Sequence, residues 1–424
     1  MKNFVALFVL LLTLLPLGAQ TPMEMRLADV QTLLNGGALK HDTVFSASFL
    51  KQVSPEQLAM GVGGLTKGLG SCTSVQMVEP RTAYSGKAHA EMSAGFTVPV
   101  MITIQSSPPY RIDGLFLRPP VARATSTNGV IEALKELEGS TSLCAVNLST
   151  GQVLIAHDTA RYMPIGSTFK LYVLGAAVQQ INSSKVAWRD VVILDSTKMS
   201  LPSGMMHEWP HGAPVTLYTL ATMMISISDN TATDHLIDAV GRTNVEVQQK
   251  AMGHTDPPRN IPFLRTMDMF RLKYANNGAD AHSYVGMNTA QKRALLERLQ
   301  ARTLPDTIEF VPSPFLPDSL EWFARTPDCV RALDWLRTAS SSSTTSAALQ
   351  ILAVNPGIAL NREEWTYVGY KGGSEPGVLN MSLLLRHRNG SWYAVSGSWL
   401  RTDADCDVSR FSALIGRTVQ QIAP

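Results

Sequence analysis

The stretch Met163–Lys170 constrains this chain more than any other, because it places a serine and a lysine three residues apart where an apolar helix begins. Residues 171–178 are apolar nearly all round, which is typical of a helix buried inside a domain. Ser167 is then predicted at the first turn, where unpaired backbone N–H groups and the helix dipole favour a developing oxyanion. Positions i and i+3 share a helix face, so we expect the Lys170 amine to reach the Ser167 hydroxyl. A desolvated lysine can act as a general base, and the pair predicts a nucleophile site.

Two later segments, Ser228–Asn230 and Lys371–Ser374, strengthen this interpretation. A Ser-x-x-Lys motif alone is weak, since a serine at a helix start is often only a cap. Read in order, Ser-x-x-Lys, Ser-Asp-Asn and Lys-Gly-Gly resemble the signatures of the penicillin-recognising serine enzymes, class A β-lactamases and penicillin-binding proteins. The resemblance runs from about Thr125 to the end of the chain. It implies an α+β fold, a β-lactamase/transpeptidase-like antiparallel sheet flanked by helices, and acyl-enzyme chemistry without a cofactor.

The residues of the second motif and Lys371 have distinct expected roles. Ser228 would carry a proton from the base to the leaving group, which requires a hydroxyl between Ser167 and the lysines. Asn230 can present its amide to an acylamido group of the substrate, whereas Asp229 is expected to point inward and bind backbone N–H groups. Lys371, on an edge strand facing the cleft, would supply positive charge for a substrate carboxylate.

The third motif supplies the expected substrate-binding backbone at Gly373 and Ser374. A glycine lets a substrate lie against the strand, and the resemblance implies an oxyanion hole formed by the backbone N–H groups of Ser167 and Ser374. The chain departs from the family at Gly372, where a threonine is usual. One hydroxyl for binding a carboxylate is therefore missing, and Ser374 is the candidate replacement.

A second departure concerns deacylation. Class A enzymes carry a glutamate that activates the deacylating water, but this chain has no glutamate between Glu246 and Glu297. The corresponding stretch, residues 253–268, predicts a proline-stiffened loop leading into a helix, with Asp256 and Asp268 as its carboxylates. Asp268 has the position of a helix N-terminal residue, so neither is favoured as the water base. We therefore expect the chain to have the residues needed for acylation but not the class A glutamate used for deacylation.

The string His207–His211 matches the zinc-protease pattern His-Glu-x-x-His. Pro210 inside it and glycines on both sides make a continuous helix improbable, so the two imidazoles would not share a face. We predict no metal site here and no cofactor. The string is instead interpreted as a loop at the rim of the cleft, where Trp209 stacks on the substrate and Glu208 meets a polar group. The alternative is that Trp209 covers the core beneath it.

The start of the chain predicts a secretory signal peptide. Lys2 precedes an apolar run over residues 4–17 that is too short to span a bilayer, and small residues follow, so cleavage is expected after Ala19. An exported protein, periplasmic or extracellular, is the expectation, with no membrane segment after cleavage. Disulfides are permitted there, and Cys329–Cys406 is the one candidate pair. The formal net charge of +2 without basic clusters gives no indication of nucleic-acid binding.

Two domains are predicted after the signal peptide, over residues 20–120 and 121–424, with Pro119-Pro120 marking the linker. The first is predicted to begin with amphipathic helices and to end with strands. It resembles the nuclear-transport-factor-2-like or cystatin-like accessory domain of serine hydrolases from clavulanic-acid gene clusters. In the second, a sheet from both chain ends is expected around central helices. The span from Leu304 to Ser346 is predicted to hold an insertion, either flexible or a lid over the cleft.

Three function classes follow from these motifs. The first is an acylating serine hydrolase of the β-lactamase kind, acting on a small-molecule β-lactam or a related acyl compound. The second is a D-alanyl-D-alanine peptidase of the penicillin-binding type, or an esterase, with slow deacylation. The third is a catalytically weak protein that binds acyl compounds. The motifs do not separate them, and the sequence leaves the oligomeric state open, with a monomer as the expectation.

Overall fold

A computed structural model describes residues 21–122, 126–300, 313–340 and 345–424. The predicted signal peptide, residues 1–19, lies outside this range. The chain divides between Val121 and Ala122 into two units, each with its own internal contacts. None of the helices in the described ranges is long and apolar enough to cross a membrane.

The first unit begins with helices whose starts are encoded locally. Thr21 and Ser54 each form a capping box with the residue three positions on, and a proline occupies the first helical position in both cases. Thr21 and Glu24 form the first box, and Ser54 and Gln57 form the second. The helices of this unit are α1 (Pro22–Leu34), α2 (His41–Val44), α3 (Ala47–Gln52) and α4 (Pro55–Thr66).

An antiparallel sheet of order β1-β2-β3-β4 completes the first unit. Buried and more exposed residues alternate along the strands Ser85–Met92 and Phe96–Ile104, as in a sheet with one covered face. The helix-then-sheet order agrees with the sequence prediction. The strands are β1 (Cys72–Thr82), β2 (Ser85–Met92), β3 (Phe96–Ile104) and β4 (Ile112–Leu117), and the two-residue β5 (Val121–Ala122) lies at the unit boundary.

In the second unit, strands near both ends of its sequence are separated by a long, mainly helical stretch. Its first half comprises α5 (Thr127–Lys135), β6 (Ser140–Asn147), β7 (Gln152–His157), β8 (Met163–Pro164), α6 (Lys170–Asn182), β9 (Val191–Ile193), β10 (Pro214–Thr216), α7 (Leu217–Ser226), α8 (Asn230–Val240) and α9 (Arg242–Ala251). Its second half comprises α10 (Thr266–Tyr274), α11 (Ala279–Val285), α12 (Thr289–Gln300), β11 (Phe323–Ala324), α13 (Thr326–Ala339), α14 (Ala347–Ala353), β12 (Trp365–Glu375), β13 (Val378–His387), β14 (Trp392–Leu400) and α15 (Val408–Ile422).

The main sheet of this unit has the order β12-β13-β14-β6-β7 and is antiparallel throughout. Nine of the ten residues of β13 are buried, so both faces of the sheet are covered. Helices α13 and α15 pack against β14. The predicted sheet built from both ends of the domain is therefore confirmed, and β12 lies at its edge, where a cleft can open beside it.

Helix α6 is buried as its sequence predicted. Ten of its thirteen residues are buried, including the charged Lys170 at its first position. Just before it, the Phe169 ring stacks on Trp322 with ring centroids 3.9 Å apart and meets Phe263 edge-on. These aromatic contacts hold the start of α6 against the core.

Two expectations from the sequence are wrong. The span from Leu304 to Ser346 is not simply an insertion, because β11 pairs with β8 and α13 packs against α6 in the core; residues 304–312 and 341–344 lie outside the described ranges. The Cys329–Cys406 disulfide does not form, and both cysteines are free. The Cys329 side chain is buried in the core on α13, whereas the Cys406 thiol donates to the Trp399 carbonyl.

We predict that Gly397→Val destabilises the second unit. An added Cβ at Gly397 would lie 2.5 Å from Ile415 and 3.1 Å from Phe411 on α15, so a branched side chain overpacks this interface. The free energy of unfolding should fall by about 1–3 kcal/mol in urea titrations followed by tryptophan fluorescence. Gly416→Val is the matched control, because no described atom lies within 4 Å of its added Cβ. An equal loss in both variants would contradict the packing explanation.

Candidate active site

Residues of all three motifs line one cleft of about 710 Å³ in the second unit. Its lining includes these sequence-predicted residues: Ser167, Ser228, Asn230, Lys371, Gly373 and Ser374. Side chains from distant parts of the sequence therefore share one solvent-accessible space. The described part of the cleft is also lined by residues that the motifs did not indicate, among them Thr266, Lys273 and Glu375.

Ser167 lies in a 3₁₀ turn, Gly166–Phe169, that runs directly into α6. The turn is anchored from behind, because the Ile165 N–H donates to the Trp322 carbonyl at 2.9 Å. Gly166 has φ +46°, a left-handed conformation that favours glycine. Ser167 is thus held at the N-terminal end of a buried helix with its side chain lining the cleft.

The Lys170 amine is fully buried and surrounded by oxygens. It donates to the Ser228 carbonyl at 2.6 Å, the Ser228 Oγ at 3.0 Å and the Asn230 Oδ1 at 2.7 Å. Burial, with the nearby Lys371 charge, lowers the pKa of Lys170 well below its usual range. Loss of one proton leaves the amine two N–H donors and a lone pair, and the lone pair can accept a proton, as a general base requires. No hydrogen bond joins Lys170 to Ser167 among the described residues, and the amine contacts Ser228 and Asn230 instead.

Ser228 connects the two lysines. Its Oγ accepts from Lys170 Nζ at 3.0 Å and from Lys371 Nζ at 3.2 Å. The residue has φ +59°, which is strained for a non-glycine and is commonly found at functional sites. The strained backbone places both the hydroxyl and the carbonyl of Ser228 toward the Lys170 amine. A hydroxyl between two amines can pass a proton from one side of the cleft to the other.

Lys371 lies on the edge strand β12, as predicted, with its side chain buried beside Ser228. Its amine also donates to the Gly372 carbonyl. No carboxylate lies within ion-pair distance of it among the described residues. Burial therefore lowers the pKa of Lys371 from 10.5 to about 7. An anion entering the cleft would find an amine with no competing acidic partner.

The backbone of β12 approaches the Ser167 turn very closely. A Cβ added at Gly373 would lie 2.5 Å from the Ser167 nitrogen and would collide with the Ile165 carbonyl. A Cβ added at Gly166 would lie 2.9 Å from the Ser374 nitrogen. Only glycine fits at both positions, and the Ser167 and Ser374 amides border the same corner of the cleft. This is the arrangement that the oxyanion-hole hypothesis requires.

Asp229 points inward, which confirms the prediction for this residue. It caps α8 by accepting from the Ala232 N–H at 2.8 Å, and it accepts from the Met205 and Met206 N–H groups at 2.7 and 2.8 Å. Asn230 lines the cleft and also contacts the protein. Its Oδ1 accepts from Lys170, and its Nδ2 donates to the Leu201 carbonyl at 2.9 Å. The amide therefore helps to orient Lys170, and its expected contact with an acylamido group of the substrate stays a prediction.

Trp209 is not among the residues that line the cleft. It is half-buried and packs against the main core. This position fits the alternative, that Trp209 covers the core, better than the predicted stacking on substrate. The neighbouring Glu208 side chain is 75% exposed and also lies outside the lining. Helical structure over the His-Glu-x-x-His string is a single 3₁₀ turn, Met206–Glu208. The described residues contain no group of three or more potential metal ligands.

The first residue of α10 brings a threonine, not a carboxylate, to the cleft. The Thr266 hydroxyl donates to Asp234 Oδ1 at 2.8 Å, and Asp234 also accepts the Thr266 and Met267 N–H groups. Burial raises the pKa of Asp234 to about 6. The Asp268 carboxylate accepts hydrogen bonds from the Arg242 side chain and the Arg265 N–H. This agrees with its predicted position at the N-terminus of α10. Sequence reasoning did not indicate Thr266, because a lone threonine carries no motif.

One carboxylate, Glu375, does line the described part of the cleft. It follows Ser374 directly on β12 and is ion-paired with Lys273 on α10. Lys273 also lies 3.7 Å from the fully buried Glu321, whose pKa is raised well above its usual range by burial and the nearby Glu375. Sequence reasoning missed this cluster, since its three members are distant along the chain.

We predict a pH-dependent stability difference at Lys371. A lysine with a pKa of about 7 in the folded state and about 10.5 when unfolded binds fewer protons in the folded state between these values. The wild-type free energy of unfolding, relative to Lys371→Met, should therefore rise with pH from about 7 to about 10, by up to about 1.4 kcal/mol per pH unit. Urea titrations at several pH values measure it, with the exposed Lys185→Met as control. A flat difference would contradict the shifted pKa.

Comparisons with known proteins agree with this geometry. Residues 126–301 match the model of the β-lactamase enzyme family. The β-lactamase from Sphaerobacter thermophilus is 20% identical, with a TM-score of 0.51 over 70% of this chain and 97% of that chain. A variant of the class A β-lactamase of the last common ancestor of Gram-negative bacteria is 16% identical, with a TM-score of 0.51 over 70% and 96%.

A further solved structure, of a protein named PBP-A, is 14% identical, with a TM-score of 0.47 over 70% of this chain and 96% of that chain. No curated protein sequence matches. By sequence, residues 126–301 match the β-lactamase enzyme family, and by structure the chain contains a domain with the β-lactamase/transpeptidase-like fold.

Proposed function

We propose that this chain is a serine hydrolase that forms an acyl-enzyme with β-lactams or related amides and esters. The observation that carries the proposal is the hydrogen-bonded series Lys170–Ser228–Lys371 beside Ser167 in one cleft. A buried amine of lowered pKa next to a helix-start serine matches the chemistry of an activated nucleophile. The family match over residues 126–301 supports the same reaction class.

The residues divide the reaction as follows. Ser167 Oγ attacks the carbonyl carbon while its proton passes to the neutral Lys170 amine, directly once substrate is bound or through Ser228. The developing oxyanion accepts hydrogen bonds from the Ser167 and Ser374 backbone N–H groups. Ser228 then delivers the proton to the leaving nitrogen or oxygen, and the acyl group remains on Ser167.

The slow-deacylating alternative, a penicillin-binding-type peptidase or esterase, is favoured by one specific observation. Of residues 253–268, which were expected to offer the water-activating carboxylate, Thr266 at the start of α10 lines the cleft, and its hydroxyl is hydrogen-bonded within the protein to Asp234. Glu375 lines the cleft but is held by Lys273. We infer that the acyl-enzyme forms readily and hydrolyses slowly, with β-lactams as the first substrates to test.

We also propose that the protein is exported to the periplasm or beyond the cell after removal of residues 1–19, and that it acts as a monomer. For the first unit we propose the nuclear-transport-factor-2-like or cystatin-like accessory fold. The helix-then-sheet order of α1–α4 and β1–β4 supports that assignment.

Ser167→Ala should abolish covalent labelling by a fluorescent penicillin and turnover of a chromogenic cephalosporin, because it removes the attacking oxygen. Ser48→Ala is the matched control, since Ser48 and Lys51 form the other Ser-x-x-Lys in the chain but lie on α3 of the first unit. The Ser48 hydroxyl donates to Asp113 there. Labelling of Ser167→Ala at the wild-type level would refute the nucleophile assignment.

Wild-type protein should give a burst of penicillin hydrolysis followed by a slow steady state, and intact-protein mass spectrometry should detect the adduct. General bases contribute about a hundred- to ten-thousand-fold, and the one carboxylate that lines the described cleft, Glu375, is paired with Lys273. Rapid linear turnover without an adduct would show that a base has been overlooked. In that event Glu375→Gln and Asp234→Asn, compared with Asp268→Asn, would locate it.

A further inference from the structure

The tyrosine two residues before Gly372 has an unusual position on β12. Tyr370 and Gly372 project to the same face of the strand, since side chains alternate with a period of two. The Tyr370 ring folds over Gly372, so that a Cβ added at Gly372 would overlap the Tyr370 hydroxyl and lie 2.6 Å from Cζ. The phenol thus fills the space that a side chain at position 372 would occupy.

A second glycine holds the ring from its other side. Gly357 has φ +70°, and a Cβ added there would lie 2.5 Å from Cγ of Tyr370. The ring is therefore confined between two backbone segments that tolerate no side chain. Confinement of this kind fixes the direction of the hydroxyl at little further entropic cost.

The hydroxyl is available to a ligand. Tyr370 lines the cleft together with Lys371 and Ser374, and none of the described residues forms a hydrogen bond with its Oη. Burial raises the pKa of Tyr370 to about 12, so at neutral pH the phenol keeps its proton and can donate it. Next along the strand is the Lys371 amine, which has no carboxylate partner in the described chain.

We propose that the Tyr370 hydroxyl and the Lys371 ammonium together bind the carboxylate of the substrate. This inference rests on the proposed function and names a specificity-determining residue for it. Both residues line the cleft from the edge strand β12, and a phenol donor and an unpaired ammonium suit an anionic group better than a neutral one. Tyr370 then supplies the hydroxyl that Gly372 lacks. Ser374, whose backbone N–H serves the oxyanion hole, is not needed for this contact.

The test measures equilibrium binding in a Ser167→Ala background, where no covalent chemistry occurs. Benzylpenicillin and its methyl ester are titrated by calorimetry into the protein with and without Tyr370→Phe, which removes only the hydroxyl. Hydrogen bonds to charged groups contribute enough that the carboxylate form should bind about ten- to a hundred-fold more weakly to Tyr370→Phe. Binding of the ester to Tyr370→Phe should be unchanged.

Three outcomes would overturn the proposal: an unchanged preference in Tyr370→Phe, equal weakening of both ligands, or no binding of benzylpenicillin to the Ser167→Ala protein. A rescue variant adds a further test. In the double variant Tyr370→Ala/Gly372→Thr, removal of the ring frees the space for a threonine side chain, whose hydroxyl should restore the preference for the carboxylate form. A preference no greater than that of Tyr370→Ala alone would also overturn the proposal. The proposed function has its own separate test: it fails if wild-type protein forms no acyl adduct on Ser167.

Discussion

The buried amine of Lys170 is the constraint on which the site depends. Burial of a charged ammonium is costly, and no carboxylate lies within ion-pair distance of this one among the described residues. The chain instead surrounds it with neutral oxygens, two from Ser228 and one from Asn230. That surrounding explains the strained φ of Ser228 and the inward turn of the Asn230 amide. The same desolvation that makes the amine costly also favours its neutral form, which can act as a base.

Close backbone approach is the second constraint, and it is set by glycines. Gly166 and Gly373 let the Ser167 turn and β12 come together so tightly that no side chain fits between them. Gly357 and Gly372 do the same for the Tyr370 ring. Loss of a threonine hydroxyl at position 372 is thus linked to the gain of a phenol hydroxyl, because one space cannot hold both side chains.

Local signals predicted much of the fold. The sheet built from both ends of the second domain and the edge position of the strand that carries Lys371 were both predicted. The failures came where burial depends on distant partners. Phe323 and Ala324 looked like part of an insertion because nothing nearby in sequence shows that they pair with β8. Trp209 carries no local indication of whether it covers a core or a substrate.

The sequence by itself determined the nucleophile and lysine motifs, their order, and the absence of a glutamate in the loop before α10, since each is a property of residue type and spacing. Only the tertiary structure decided what those residues contact. It directed Lys170 to Ser228 and Asn230, joined Lys273 to Glu375 and Glu321, and laid the Tyr370 ring over Gly372. The physical reason is that hydrogen bonds, ion pairs and excluded volume act over a few ångströms in space, between residues that can be a hundred positions apart in the chain.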